Sequence, residues 1–191
     1  MPGRVYEALR DRMVGVTGVV MLIGAAETGK TTLSKLLILD ALDAGLSVAY
    51  VDGDVASTIA GPPACVGLKY IESPADLDPE APPAEMRFVG SVSPQGVVLP
   101  HVVAVDRLVE AARANADLVI VDTTSVVGGV VGQTLKYHLW ELTQPDLGIA
   151  LQRGEELEPI IGMLRRFLSA KITTAEPPND ATPPSPTERQ T

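Results

Sequence analysis

A chain of 191 residues with 46% hydrophobic side chains has enough apolar mass for one well-buried domain and little beyond it. A single cysteine, Cys65, excludes an intrachain disulfide, and two histidines with no cysteine at ligand spacing argue against a zinc site. The formal charge of −9 disfavours a long polyanion footprint, while leaving room for a small local site that holds one strand end.

The opening Met1 to Glu7 lacks the apolar core of a signal peptide, and residues 3–14 read instead as a short amphipathic helix with Val5, Leu9 and Met13 on one face. Residues 17–23 are mostly apolar and β-prone, as a buried strand should be. They run into Gly24-Ala25-Ala26-Glu27-Thr28-Gly29-Lys30-Thr31-Thr32, a full phosphate-binding loop. A helix over 30–44 follows, with Leu33, Leu36, Leu37 and Ala41 at helical spacing and Gly45 as its stop. Residues 46–51 form the second strand, which closes on Asp52-Gly53-Asp54. The stretch 55–85 reads as irregular, because Gly61-Pro62-Pro63, Ser73-Pro74, Pro79 and Pro82-Pro83 break every period. A short strand at 87–89, a helix at 100–115 and a strongly apolar strand at 118–122 come next. A helix at 130–143, a strand at 147–151 and a helix at 155–169 complete the pattern. From Thr173 the composition turns to Pro, Thr, Ser and Glu, so 173–191 is read as a disordered tail behind a domain of 1–172. No run of about 18 apolar residues is present, so no membrane span is expected, and with one cysteine the expected compartment is the cytoplasm. Strands alternating with helices make this an α/β chain, a three-layer P-loop NTPase fold with a mostly parallel central sheet.

The glycines of the loop let successive N–H groups converge on phosphate oxygens at the positive end of a helix. Lys30 can reach the β- and γ-phosphates of ATP, and the Thr31 hydroxyl can ligate Mg²⁺. Three polar clusters lie at strand ends, where ligands bind in open α/β sheets. Asp52 and Asp54 can accept a proton from an attacking hydroxyl or hold the metal's water shell; the competing reading is a turn. Asp122 ends four apolar residues, the pattern whose carboxylate orients Mg²⁺ ligands, although an acid there can also cap the junction. Spacing alone leaves open which acid is base and which serves the metal. Arg153, after the last of these strands, can stack on a nucleotide base or stay hydrated. Tyr137, Leu139 and Trp140 read as packing residues rather than a base platform, and Arg165 and Arg166 as charges at a helix C-terminus.

Taken together, these pieces resemble the polynucleotide 5′-hydroxyl kinases related to the pre-mRNA cleavage-complex kinase subunit and the ribosomal-RNA-processing kinases. The resemblance runs from Thr17 to Phe167. It is carried by Gly24 to Thr32, Asp52-x-Asp54, Gly61-Pro62, Phe88-Val-Gly-Ser-Val-Ser-Pro94, Leu118 to Thr123 and Gly129. It implies transfer of the ATP γ-phosphate to the 5′-hydroxyl of RNA or DNA. Lys30 and Thr31 would hold the Mg²⁺-triphosphate, the Asp52/Asp54 pair would serve metal or acceptor, and Thr123 would match the threonine of a Thr-x-Gly-Trp clasp. Ser93 falls in the shared Phe88–Pro94 segment and is placed with Thr123 on the acceptor side. The chain departs from the family where Ala56-Ser57 replaces Gly-Gln and Ser125-Val126 replaces the clasp's Gly-Trp. In the region of the family's arginine-bearing lid stands Pro184 to Arg189, with one arginine. Stacking on a terminal base is worth about 1–3 kcal/mol, so its loss predicts weak strand binding. Two alternatives follow: an ATP-binding scaffold with impaired catalysis, or a SIMIBI-type NTPase. The latter is disfavoured by Ala25-Ala26-Glu27, which lacks the extra early lysine, and by Gln152 to Glu155, which offers no guanine reader.

Overall fold

The computed structural model describes residues 9–11 and 13–177. Strand β1 (Gly18–Gly24) is a nearly unbroken apolar run, and such a run is stable only with both sheet faces covered. The chain then forms α1 (Lys30–Asp43), β2 (Val48–Gly53), β3 (Cys65–Ile71) and β4 (Glu85–Phe88). It continues through α2 (Val98–Arg113), β5 (Leu118–Thr123), α3 (Gly129–Thr143), β6 (Leu147–Leu151), α4 (Glu158–Leu168) and β7 (Ile172–Ala175). The seven strands lie in the order β4-β3-β2-β5-β1-β6-β7. All neighbours are parallel except β2 with β3 and β3 with β4. Two reversals restore the direction, so β4 runs with β2 and its carboxyl end lies on the same sheet edge as the phosphate loop.

Alternate residues of each strand feed two cores. On one face Val20, Leu22, Tyr50 and Ile120 pack under Leu33, Leu37 and Ile38 of α1. On the other, Met21, Val51, Val121 and Ala150 meet Val105 and Leu108 of α2, Leu135 and Leu139 of α3, and Ile160 and Leu164 of α4. The fold is thus the expected three-layer α/β arrangement. Trp140 and Leu139 are core residues, and Gly148 is the point where a Cβ would lie 2.6 Å from the Trp140 ring. The Arg165 guanidinium donates to the Ile172 carbonyl at 2.9 Å, holding α4 to the start of β7.

Two expectations are corrected. The stretch 55–85 is not wholly irregular, since β3 occupies its middle and pairs antiparallel with β2. Its signal, Cys-Val-Gly-Leu-Lys-Tyr-Ile, was hidden by flanking prolines and by Gly67 and Lys69. Both serve packing: the Lys69 ammonium is buried and donates to the Asp76 and Asp78 carbonyls at 3.1 and 2.6 Å. An ideal Cβ on Gly67 would sit 1.7 Å from the Ala60 oxygen, so glycine alone lets the 54–60 loop lie on β3. The second correction is the tail boundary, because 172–175 adds β7 parallel to β6. Thr173 and Thr174 suit a strand, which a compositional reading of the segment overlooked. The remainder of the tail, 178–191 with Arg189, lies outside the described residues, as do residues 3–8 of the N-terminal helix; Leu9 to Asp11 and Met13 are helical. Among the described residues no helix is long and apolar enough to cross a membrane.

Candidate phosphoryl-transfer site

At the end of β1 the chain turns where only small residues fit. A Cβ on Gly24 would stand 2.5 Å from the Thr28 hydroxyl and 3.0 Å from the Leu151 carbonyl. Gly29 closes the turn at φ 82°, a left-handed value that glycine adopts without strain, and α1 starts at Lys30. Within the loop the Thr28 hydroxyl donates to the Ala25 carbonyl at 3.0 Å, while Ala26 and Glu27 form its exposed tip. Arg153 reaches across from the end of β6 and donates to the Glu27 carbonyl at 2.8 Å, so the sheet edge after β6 does border the loop.

Lys30 folds back over this turn, its ammonium donating to the carbonyls of Gly24 and Ala25, both at 2.9 Å. Burial lowers its pKa, and the negative charges of Asp122 and Asp54 act against that shift. One turn into the site, the Thr31 hydroxyl donates to Asp122 Oδ2 at 2.7 Å, and the Tyr50 phenol donates to the same oxygen at 3.2 Å. Asp122 Oδ1 is buried with no partner. Desolvation raises the Asp122 pKa, against the stabilising bonds from Thr31 and the charge of Lys30. A buried carboxylate oxygen without a donor is costly, by about 1–3 kcal/mol, unless something is meant to meet it. A hydroxyl and a half-satisfied carboxylate side by side fit Mg²⁺, which takes one or two protein oxygens and fills its shell with phosphate and water. Thr32 is exposed on the first turn of α1.

The two acids after β2 are split by the fold. Asp52, expected to face the phosphate, is instead buried and fully engaged in holding the next loop. Its Oδ2 accepts from the Thr58 hydroxyl at 2.9 Å and from the amides of Ile59 and Ala60 at 2.5 and 3.2 Å; its Oδ1 accepts from the Asp54 amide at 3.0 Å. Burial, followed by the repulsion of Asp122, pushes its pKa up to about 7. Asp54 is half-buried, and one of its oxygens accepts from the amides of Ala56 and Ser57 at 2.9 and 3.4 Å. It lies within electrostatic reach of both Lys30 and Asp122. Asp54 is therefore the member of the pair that remains available to ligand chemistry.

The two acceptor-side expectations fare differently. Thr123 is turned into the sheet, its hydroxyl donating to the Leu22 carbonyl at 2.7 Å, so in this conformation it faces no strand end. Ser93 is exposed on the β4–α2 loop, on the correct sheet edge, with its hydroxyl accepting from the Gln95 amide at 3.3 Å.

Beyond Tyr50 and Lys69, two more buried titratable side chains were missed. His101, in the first turn of α2, is fully buried, with Nε2 2.8 Å from the Gly53 carbonyl and Nδ1 unpartnered. Desolvation brings its pKa down to about 4, so the ring is neutral and Nε2 carries the donated proton. Lys136 on α3 is also fully buried and donates to the Thr124 carbonyl at 2.7 Å and hydroxyl at 3.3 Å. Desolvation, and next the charge of Lys30, brings it down to about 7. Helical counting contained the clue: Lys136 shares a face with Gly132, Leu139 and Trp140, and His101 with Val105 and Leu108.

The chain matches known proteins over most of its length. The family model described as the P-loop of the mRNA cleavage and polyadenylation factor CLP1 matches residues 24–191. A polyribonucleotide 5′-hydroxyl-kinase of Pyrococcus horikoshii is 36% identical over 142 residues, 74% of this chain and 39% of that protein. Its counterpart in Pyrococcus furiosus is 37% identical over 155 residues, 81% of this chain and 44% of that one. The chain thus spans about two-fifths of the length of these relatives. Among solved structures, wild-type Clp1p in complex with Pcf11p superposes with a TM-score of 0.73 at 15% identity, over 94% of this chain and 48% of that one. At that identity the likeness is one of fold.

Proposed function

We propose, from the premise that this chain belongs to the CLP1 P-loop family, that it is an ATP-dependent phosphotransferase domain acting on the 5′-hydroxyl of RNA or DNA. The observation that carries the reading is the Lys30–Thr31–Asp122 cluster at the mouth of the phosphate loop, with Asp54 on the next strand end. Backbone N–H groups of Ala25 to Thr32 would cradle the β- and γ-phosphates. The two carbonyls that Lys30 now contacts are stand-ins for phosphate oxygens, which would draw the ammonium outward. Mg²⁺, held by Thr31 and Asp122 with Asp54 near its shell, would supply charge neutralisation of the triphosphate. Arg153 would rest against the nucleotide's base side. The acceptor oxygen then forms its bond to the γ-phosphorus as the bond to ADP breaks, and its proton leaves to Asp54 or solvent. Ser93 and the Thr123–Val126 segment would border the acceptor.

The deciding experiment is transfer of labelled γ-phosphate from ATP to a 5′-hydroxyl oligonucleotide. Transfer above a Lys30→Ala control supports the reading, and transfer no greater than that control rejects it. A second reading, an ATP-binding scaffold with impaired catalysis, is favoured by Ser125-Val126 in place of Gly-Trp and by the inward Thr123 hydroxyl. It would show MgATP binding without turnover.

A further inference from the structure

Lys136 has no place in the chemistry above, yet its position is a costly one for a charged side chain. It is fully buried, it is held only by the carbonyl and hydroxyl of one residue, and no carboxylate pairs with it among the described residues. An isolated buried ammonium is normally replaced by an apolar side chain unless its donors have a task. What it holds is informative. The β1–β5 register pairs Leu22 with Asp122, and the β2–β5 register pairs Gly53 with Thr123. Two residues beyond the first pair and one beyond the second, Thr124 follows the end of β5 at the level of Gly24, where the phosphate loop begins, and of Asp54. The Thr124 hydroxyl also accepts from the Val126 amide at 3.3 Å, which makes residues 124–126 a tight turn. One helical turn before Lys136 on α3, Gly132 lets the same segment settle, since a Cβ there would lie 2.5 Å from the Val127 carbonyl carbon. Two residues of α3 therefore seat one turn at the centre of the site, from below.

We propose that Lys136 is a positioning residue: by fixing the Thr124–Val127 turn from inside the domain, it shapes the floor on which the terminal nucleotide of the acceptor strand rests. This deepens the kinase reading and rests on it. The turn stands where the clasp's Gly-Trp is missing, so a rigid floor takes over placement that stacking would otherwise give. Lys136 touches neither ATP nor the acceptor. It lies within electrostatic reach of Lys30, Asp54 and Asp122, but the phosphate loop is held by its own bonds and by Arg153, so the larger effect is expected on the acceptor.

The test is Lys136→Met, which keeps the volume and unbranched stem while removing the ammonium, with Thr124→Val as a second variant should the first fail to fold. The readouts are KM for a 5′-hydroxyl oligonucleotide, KM for ATP, MgATP affinity by calorimetry and the thermal midpoint. Lys136→Met is expected to raise the oligonucleotide KM about tenfold, in line with a positioning loss of about one decade. ATP KM and MgATP affinity should stay within about twofold, and the midpoint within about 3 °C because loss of a buried charge offsets loss of its bonds. Thr124→Val should shift the same parameter in the same direction by a smaller factor. A folded variant that changes both substrates' constants together, or neither, overturns the proposal while leaving the kinase reading intact. Absence of transfer by the wild-type chain above Lys30→Ala removes both.

Discussion

The two faces of the sheet handle buried polar groups in opposite ways. On the α1 face Lys30, Thr31, Tyr50 and Asp122 are bonded to one another or to the loop's own carbonyls, and one carboxylate oxygen is left without a donor. On the α2–α3 face His101 and Lys136 are bonded to the main chain where β2 and β5 end, at Gly53 and Thr124. Under the proposed reading the first set is exchangeable, since the bonds of Lys30 and Thr31 can be given up to a phosphate oxygen or a metal. The second set is fixed, because each member ties a helix to the main chain inside the core, away from the mouth of the phosphate loop. On that reading, place relative to the phosphate loop, more than burial or partner type, separates groups that meet ligand from groups that hold the site in shape. Lys30, like His101 and Lys136, is bonded to main-chain carbonyls. Asp52 belongs with the second set although it sits in the acidic triplet, since its partners are a hydroxyl and backbone amides of its own loop.

This division can be broken most decisively at Lys30. Lys30→Ala should lower phosphoryl transfer by about 10³-fold, the scale of removing a preorganised charge from a transferring group, with little loss of stability. Initial rates at saturating ATP, alongside a thermal melt, check it; a melt that collapses with the rate would place Lys30 among the supports instead. Next comes Asp122→Asn, expected to cost about 10²-fold in rate and to erase most of the difference in affinity between MgATP and metal-free ATP. Titration calorimetry with and without EDTA reads that difference directly, and an unchanged Mg²⁺ dependence would remove Asp122 from the metal's surroundings.

Asp52 and Asp54 sharpen the comparison because they stand two residues apart. Asp52→Asn replaces one carboxylate oxygen by a donor facing the Ile59 or Asp54 amide, so it should destabilise the domain by about 1–3 kcal/mol. Asp54→Asn should leave urea unfolding nearly unchanged and lower transfer about 10²-fold. The reverse pattern would exchange their assignments.

Sequence reading found what has a local code. The phosphate loop needs two glycines, a lysine and a threonine in fixed order between strand and helix, and Asp122 ends an apolar run; both are visible without a partner. What failed was information held in pairings. β3 is a strand because β2 and β4 flank it, and Gly67 and Lys69, which weaken its pattern, are explained only by Ala60, Asp76 and Asp78. Thr123 matches the threonine of the family's clasp, yet its side chain follows strand alternation into the sheet. Lys136 and His101 lie on helix faces whose neighbours mark them as buried, but only the sheet register shows which strand ends they reach.

The smallest effect tests whether His101 is a fixed support. Its pKa in the fold is about 4 against 6.5 for a free imidazole, so between these values the native state binds fewer protons than the unfolded chain. Stability from this group is accordingly complete above pH 6.5 and is lost as pH falls toward 4. Protonation would force a charge into the core beside Lys136, which already disfavours it. His101→Gln removes the titration while its amide can still donate to the Gly53 carbonyl. Subtracting the two proteins' unfolding free energies at pH 7.5 and 5.5 isolates the histidine from the carboxylates that titrate in both. The wild type should lose about 1 kcal/mol more than the variant across that interval. Equal losses would mean that the imidazole is solvated enough to charge freely, and that the end of β2 is held by something other than a neutral ring.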